Sequence, residues 1–130
     1  MIYTACYHDY ACLHGKLIPI SFGIPSFEYK FKLEPPLKFF IPQASFLRNG
    51  RANKITEEQY TKVYREEIKD NWCVIQDWLN SLKPEENMTL LAWEKPEQFS
   101  HRNLVLKLVE KYRPDCYGGA NVVNKCPLVV

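Results

Sequence analysis

Residues 89–112 constrain this chain most, because they join two patterns that only a fold of sheet and helix accommodates. Residues 89–93, TLLAW, form a short apolar run, which reads as a strand covered on both faces. Glu94, Lys95, Pro96, Glu97 and Gln98 follow as a polar connection, and Ser100 then stands where a helix N-cap belongs. The segment from Ser100 to Tyr112 reads as a helix, and Pro114 marks its end.

The rest of the chain repeats that alternation. Residues 2–6 are an apolar run suited to a buried first strand, and 7–15 read as a polar connection ending in glycine. Residues 16–22 are a second strand candidate, which Pro19 pushes toward a sheet edge. Phe27, Tyr29, Phe31 and Leu33 alternate with Glu28, Lys30 and Lys32, the period of a strand with one wet face. Pro35-Pro36 stops it, and residues 37–54 read as irregular. Thr56 and Gln59 have capping-box spacing, and Tyr60, Tyr64, Ile68, Trp72, Ile75, Leu79 and Leu82 recur at helical spacing after them. An unbroken helix over 56–82 would run about 40 Å, so a break near 69–71 is expected, with Asp70 capping the second half. Residues 116–119 read as a short extended piece and a glycine turn. These elements predict a single three-layer α/β domain over residues 1–130, with a small mixed, mostly parallel sheet flanked by helices.

Composition excludes several function classes. Seventeen basic against fifteen acidic side chains leave a net charge of +2, too small to mark a nucleic-acid or membrane surface. No run approaches the ~20 apolar residues that cross a bilayer. The opening MIYTACYHDY lacks the charged start and apolar core of a signal peptide, and five cysteines form no disulfide framework. Reduced thiols in the cytoplasm are the expectation. Nothing in the sequence calls for a cofactor.

The candidate site lies where the strand at 89–93 feeds its helix. Ligands of open α/β sheets bind beyond the carboxyl ends of the strands, where a helix N-terminus presents free N–H groups. His101 and Arg102 occupy that helix's first turn, although a helix N-terminus favours negative charge. Either a bound phosphate or carboxylate relieves the tension, with Arg102 as the forked donor, or Glu94 or Glu97 folds back onto it. Arg102, Ser100 and Lys95 are therefore the candidate anion-binding residues. His101 and Glu94 are the candidate catalytic ones, His101 as general acid or base.

The stretches ITEEQYTKVYREEI and LLAWEKPEQFSHRNLVLKLV resemble the domain-of-unknown-function family 488. Its members carry a tyrosine-rich helix and a later run of the type LLC-x-EK-x-x-x-x-CHR. Tyr60 and Tyr64 fit the helix, Glu94, Lys95, His101 and Arg102 fit the run, and residues 1–7 are similar to the opening strand. The resemblance implies an α/β fold and highlights the same site without supplying a reaction. Where many members have cysteine before His-Arg, this chain has Ser100, read here as a plain N-cap. The family's Asp-x-Arg segment after the second strand is replaced by Ser21, Phe22, Gly23 and Pro25.

Cys6, lying near the end of the first strand, is a second candidate nucleophile, and Ser21, Tyr60 and Tyr64 are candidates for a surrounding shell. Cys6, His8, Cys12 and His14 hold potential zinc ligands, but their spacing departs from the usual knuckles, so no metal is expected. Residues 30–54 interleave six basic residues with Phe31, Phe39, Phe40 and Phe46, which permits base stacking or a protein-interaction surface but equally a solvated edge over a core. The leading expectation is an anion-binding domain for a phosphate-bearing small molecule or a nucleic-acid end. The alternatives are a small hydrolase or group-transfer enzyme using His101, and an interaction module using residues 30–54.

Overall fold

The computed structural model describes residues 1–8, 13–23, 31–43, 56–94 and 99–120. Among the described residues four strands form one sheet in the order β2-β3-β1-β4, with β1 Ile2–Cys6, β2 Lys16–Pro19, β3 Met88–Ala92 and β4 Tyr117–Ala120. The two apolar runs, β1 and β3, are the central pair; Ile2 opposes Met88 and Cys6 opposes Ala92. Every pairing among the described residues is parallel. Of the half-wet strand expected over 27–33, residues 31–33 are not strand, and 27–30 lie outside the described residues.

Pro19 does sit on an edge strand, as its missing N–H requires. The outer side of β2 is occupied by the following chain, with Glu34 N–H donating to the Leu17 carbonyl (2.8 Å) and Leu37 N–H to that of Pro19 (3.1 Å). The other edge is β4, which corrects the glycine turn expected at 118–119. A Cβ on Gly118 would lie 2.7 Å from both the Ile2 carbonyl oxygen and the Tyr3 ring. The glycine here permits strand contact rather than chain reversal.

The described crossovers carry the helices α1 Glu57–Asp70, α2 Trp72–Ser81 and α3 His101–Tyr112. Thr56 and Gln59 form the capping box that starts α1, with bonds of 3.0 and 3.1 Å. The break between α1 and α2 falls at Asn71, whose amide donates back to the Glu67 carbonyl (3.1 Å). Asp70 ends α1 and does not recap α2. Beyond α2, Arg113 donates to the carbonyls of Leu79 and Leu82, groups that a helix end leaves without partners.

Handedness decides which face the helices cover. The connections β2 to β3 and β3 to β4 advance in the same direction across the sheet, so right-handed crossovers place their helices on one side. Tyr60, Tyr64, Ile75, Leu79, Val105 and Val109 accordingly share one core with Ile2, Ile18, Ile20 and Leu90. Burying each of the aliphatic side chains contributes about 1.5–3 kcal/mol before entropy is counted. The step from β1 to β2 runs the opposite way across the sheet, and described chain on either side of β2 covers the other face. There Leu13 and Leu33 cover Ala5, Tyr7, Leu17 and Leu91. Among the described residues the layers are therefore helices, sheet and irregular chain.

Candidate functional site

The same topology makes a crevice. Chain leaving β1 turns to one face and chain leaving the adjacent β3 turns to the other, which is the switch point where open α/β sheets bind ligands. Tyr7 N–H, just past β1, donates to the Ala92 carbonyl (3.1 Å), so the two strand ends stay locked together up to the crevice.

Ser100 is the N-cap of α3 and fully buried. Its hydroxyl accepts from the Arg102 N–H (3.4 Å) and donates to a Glu94 carboxylate oxygen (3.2 Å). Glu94 thus folds back to the helix N-terminus and places a negative group there, one of the two outcomes expected from sequence. Its backbone carbonyl accepts from Arg102 Nη1 (2.5 Å). Residue 94 is thereby bound twice, at its carboxylate by Ser100 and at its carbonyl by Arg102.

His101 is buried, and Nε2 lies 2.6 Å from the Ile20 carbonyl oxygen. A carbonyl only accepts, so Nε2 carries the proton, and Nδ1 faces the Ser100 hydroxyl at 3.5 Å. Burial holds the imidazole below its ordinary pKa, assisted by the Arg102 charge, against the opposing pull of Glu94 and the Ile20 carbonyl. Both ring nitrogens therefore face inward, and the neutral ring ties α3 to the chain leaving β2.

Arg102 is buried at 4 % exposure and borders a cavity of about 250 Å³ at the carboxyl end of β1. Cys6, Asn103, Lys107, Glu110 and Tyr117 also line it. Residues 103, 106, 107 and 110 belong to one stripe of α3, so the cavity follows the helix from its N-terminal turn. Among the described lining residues Arg102 and Lys107 are basic and Glu110 is acidic. Cys6 donates its thiol proton toward the Trp93 carbonyl (Sγ to O 3.4 Å), and a sulfur at the strand end was the position expected for it.

Ser21 stands away from this cavity, in a relay that sequence reading missed. It donates to the Gly23 carbonyl (2.7 Å) and accepts from the Tyr7 hydroxyl (2.6 Å); the Trp93 indole N–H donates to the same carbonyl (2.5 Å). Burial pushes the Tyr7 phenol up to about 12, partly offset by the Ser21 bond and reinforced by the Glu94 charge. The only sequence signal for Tyr7 was its place directly after the first strand.

Tyr60 and Tyr64 point to the same region with different outcomes. The Tyr64 hydroxyl donates to the Phe40 carbonyl (2.6 Å) and its ring lies 5.6 Å from that of His101. Tyr60 packs edge-on against Phe99 at 5.4 Å, beside the N-cap, and its hydroxyl is buried with no hydrogen-bond partner among the described residues. Phe39 and Phe40 pack against Trp78, so this part of the aromatic segment belongs to the core, while Lys32 and Lys38 are exposed. Residues 44–54, together with Lys95, lie outside the described residues. Cys12 does too, and among the described residues no group of three histidine, cysteine or acidic side chains is placed to hold a metal. His14 stacks on Tyr3 at 4.0 Å. No described helix is long and apolar enough to cross a membrane.

A family model described as the active DUF488-N3 subclade matches residues 34–113, more than half of the chain. No curated protein and no solved structure matches.

Proposed function

The chain belongs to the DUF488 family, and from that premise we propose that it binds a phosphate-bearing small molecule in the cavity at the carboxyl end of β1. The observation that carries this reading is a buried guanidinium, Arg102, bordering a cavity of about 250 Å³ lined by the carboxyl end of β1, by α3 and by β4. Arg102 binds the phosphate as a forked donor, with Lys107 adding charge from the next turn of α3. Ser100 and Glu94 act behind it, fixing the backbone and the carbonyl from which Arg102 hangs. His101 is a positioning residue that anchors the helix start through Ile20. Lys95 follows directly on Glu94 and is a further candidate for the same anion. Free thiols at Cys6, Cys73 and Cys116 suit a reducing compartment.

The test is calorimetric titration with inorganic phosphate, together with thermal melting. Phosphate is expected to bind and raise the Tm of the wild-type chain. Arg102→Gln is expected to weaken binding tenfold or more, since hydrogen bonds to charged groups contribute about 1.5–3 kcal/mol. Lys107→Ala is expected to weaken it less. Absence of any phosphate binding by the folded wild-type chain would end this reading.

Cys6 supports a second reading, hydrolysis or group transfer in the same cavity, because its thiol lines that cavity beside Arg102. The word active in the matched model's description is in keeping with turnover. Here the Cys6 sulfur attacks the phosphorus of a phosphate ester, the S–P bond forming as the P–O bond to the alcohol breaks and the departing alkoxide takes up the thiol proton; water then cleaves the S–P bond, releasing phosphate and restoring the thiol. Turnover of a phosphate ester by the wild type, lost in Cys6→Ser while phosphate binding persists, separates an enzyme from a binding domain.

A further inference from the structure

At the switch point, chain leaving three neighbouring strands converges on one indole. Tyr7 directly follows β1, Ser21 and Gly23 lie just past β2, and Trp93 directly follows β3. The wholly buried Tyr7 ring packs against Trp93 with centroids 4.5 Å apart. The Gly23 carbonyl accepts from the indole N–H and from Ser21, which is bonded in turn to the Tyr7 hydroxyl. Cys6 holds the backbone of the same residue through the Trp93 carbonyl. The indole is thus fixed at its ring, its N–H and its backbone, yet the residue is 37 % exposed. An open ring fixed in this way is preorganised, so a ligand meets it without an ordering cost.

What these rings offer decides what they hold. The exposed His8 ring stands 5.9 Å from the indole and is inclined to it by 54°, so the two meet as the walls of a wedge and are not stacked on each other. Phe22, the residue before the Gly23 carbonyl, is 60 % exposed. Because the indole N–H is committed to Gly23, Trp93 presents a π-face rather than a donor, and a flat ring with its own π-system is complementary to that. His8 adds ring nitrogens that donate to, or accept from, the polar edge of such a ring. A heteroaromatic base has both the flat face and the polar edge; an aliphatic group has neither. We propose that Trp93 and His8 form a stacking subsite for a heteroaromatic ring of the nucleobase type, placed where open α/β sheets receive ligands. The subsite lies apart from the Arg102 cavity, whose described lining includes none of these rings, and does not depend on the anion site.

The experiment titrates adenosine, which carries no phosphate, into the wild type, Trp93→Leu, Trp93→Tyr and His8→Ala. Binding is followed by calorimetry and by the upfield ring-current shifts of the adenine protons. The wild type is expected to bind adenosine and to leave ribose and cyclohexanol unbound at the same concentrations. Trp93→Leu is expected to weaken adenosine binding about tenfold, the loss of one base–aromatic stack, and Trp93→Tyr, which keeps a ring, to recover most of it. His8→Ala, a change at an exposed residue, is expected to weaken binding about threefold while the Tm holds. Absence of adenosine binding by the folded wild type overturns the subsite, as does an affinity undiminished in both Trp93→Leu and His8→Ala. Cyclohexanol bound as tightly as adenosine marks a plain apolar patch and overturns it as well. If Trp93→Leu does not fold, His8→Ala decides by the same criterion.

Discussion

Acidification should destabilise this chain through His101, and the size of the effect follows from the structure. The ring is buried, donates from Nε2 to the Ile20 carbonyl, and is held below its ordinary pKa of 6.5 by burial first and by Arg102. A histidine whose folded pKa is depressed takes up its proton more readily when unfolded. Its contribution is therefore complete above the unfolded pKa and is lost as pH falls below it. Between pH 7.5 and 5.5 the unfolded imidazole goes from mostly neutral to mostly charged. If the folded ring stays neutral throughout, the difference reaches about 1.4 kcal/mol, or roughly 3–5 °C in Tm for a chain of this size. His101→Gln keeps an N–H able to reach Ile20 and removes the titration. Urea unfolding of both proteins at the two pH values isolates the term, since His8, His14 and the carboxylates are common to both. The wild type should lose about 1 kcal/mol more than His101→Gln on acidification. Equal losses, or a wild type that gains stability at pH 5.5, would refute the assignment of a buried neutral ring.

Two tyrosines one helical turn apart should respond oppositely to the same substitution. Tyr64→Phe breaks the buried bond to the Phe40 carbonyl and should cost about 1–3 kcal/mol in urea unfolding, whereas Tyr60→Phe should leave stability unchanged or slightly raised. Ser100→Ala removes the cap of α3 and the partner of Glu94, and a loss of about 1 kcal/mol is expected by the same measurement. Gly118→Ala should force β4 away from the Ile2 carbonyl and the Tyr3 ring at 2.7 Å. A loss of about 1–3 kcal/mol, with faster amide exchange in β1 than in β2, would mark that separation.

Local pattern determined much of this molecule. Two apolar runs became the central strands, Pro19 marked an edge, Thr56 with Gln59 started α1, and Ser100 started α3, because each signal acts within a few residues of itself. The crossing of a buried strand into a capped helix also located the crevice, since strand direction and helix direction are fixed by sequence order. Arg102 could be placed near it on that ground, and Cys6 only on the further condition that the sheet is parallel. What the sequence left open were relations between distant segments. It offered an anion, Glu94 or Glu97 as the charge facing the helix start, and only the tertiary structure sets the Glu94 carboxylate against Ser100. It could not pair His101 with Ile20, eighty-one residues away, nor join Tyr7 to Ser21. It could not tell that Gly118 is needed for an approach to β1 rather than a turn. Handed crossovers and close packing decide such contacts, and those arise from the whole sheet at once rather than from any window of the chain.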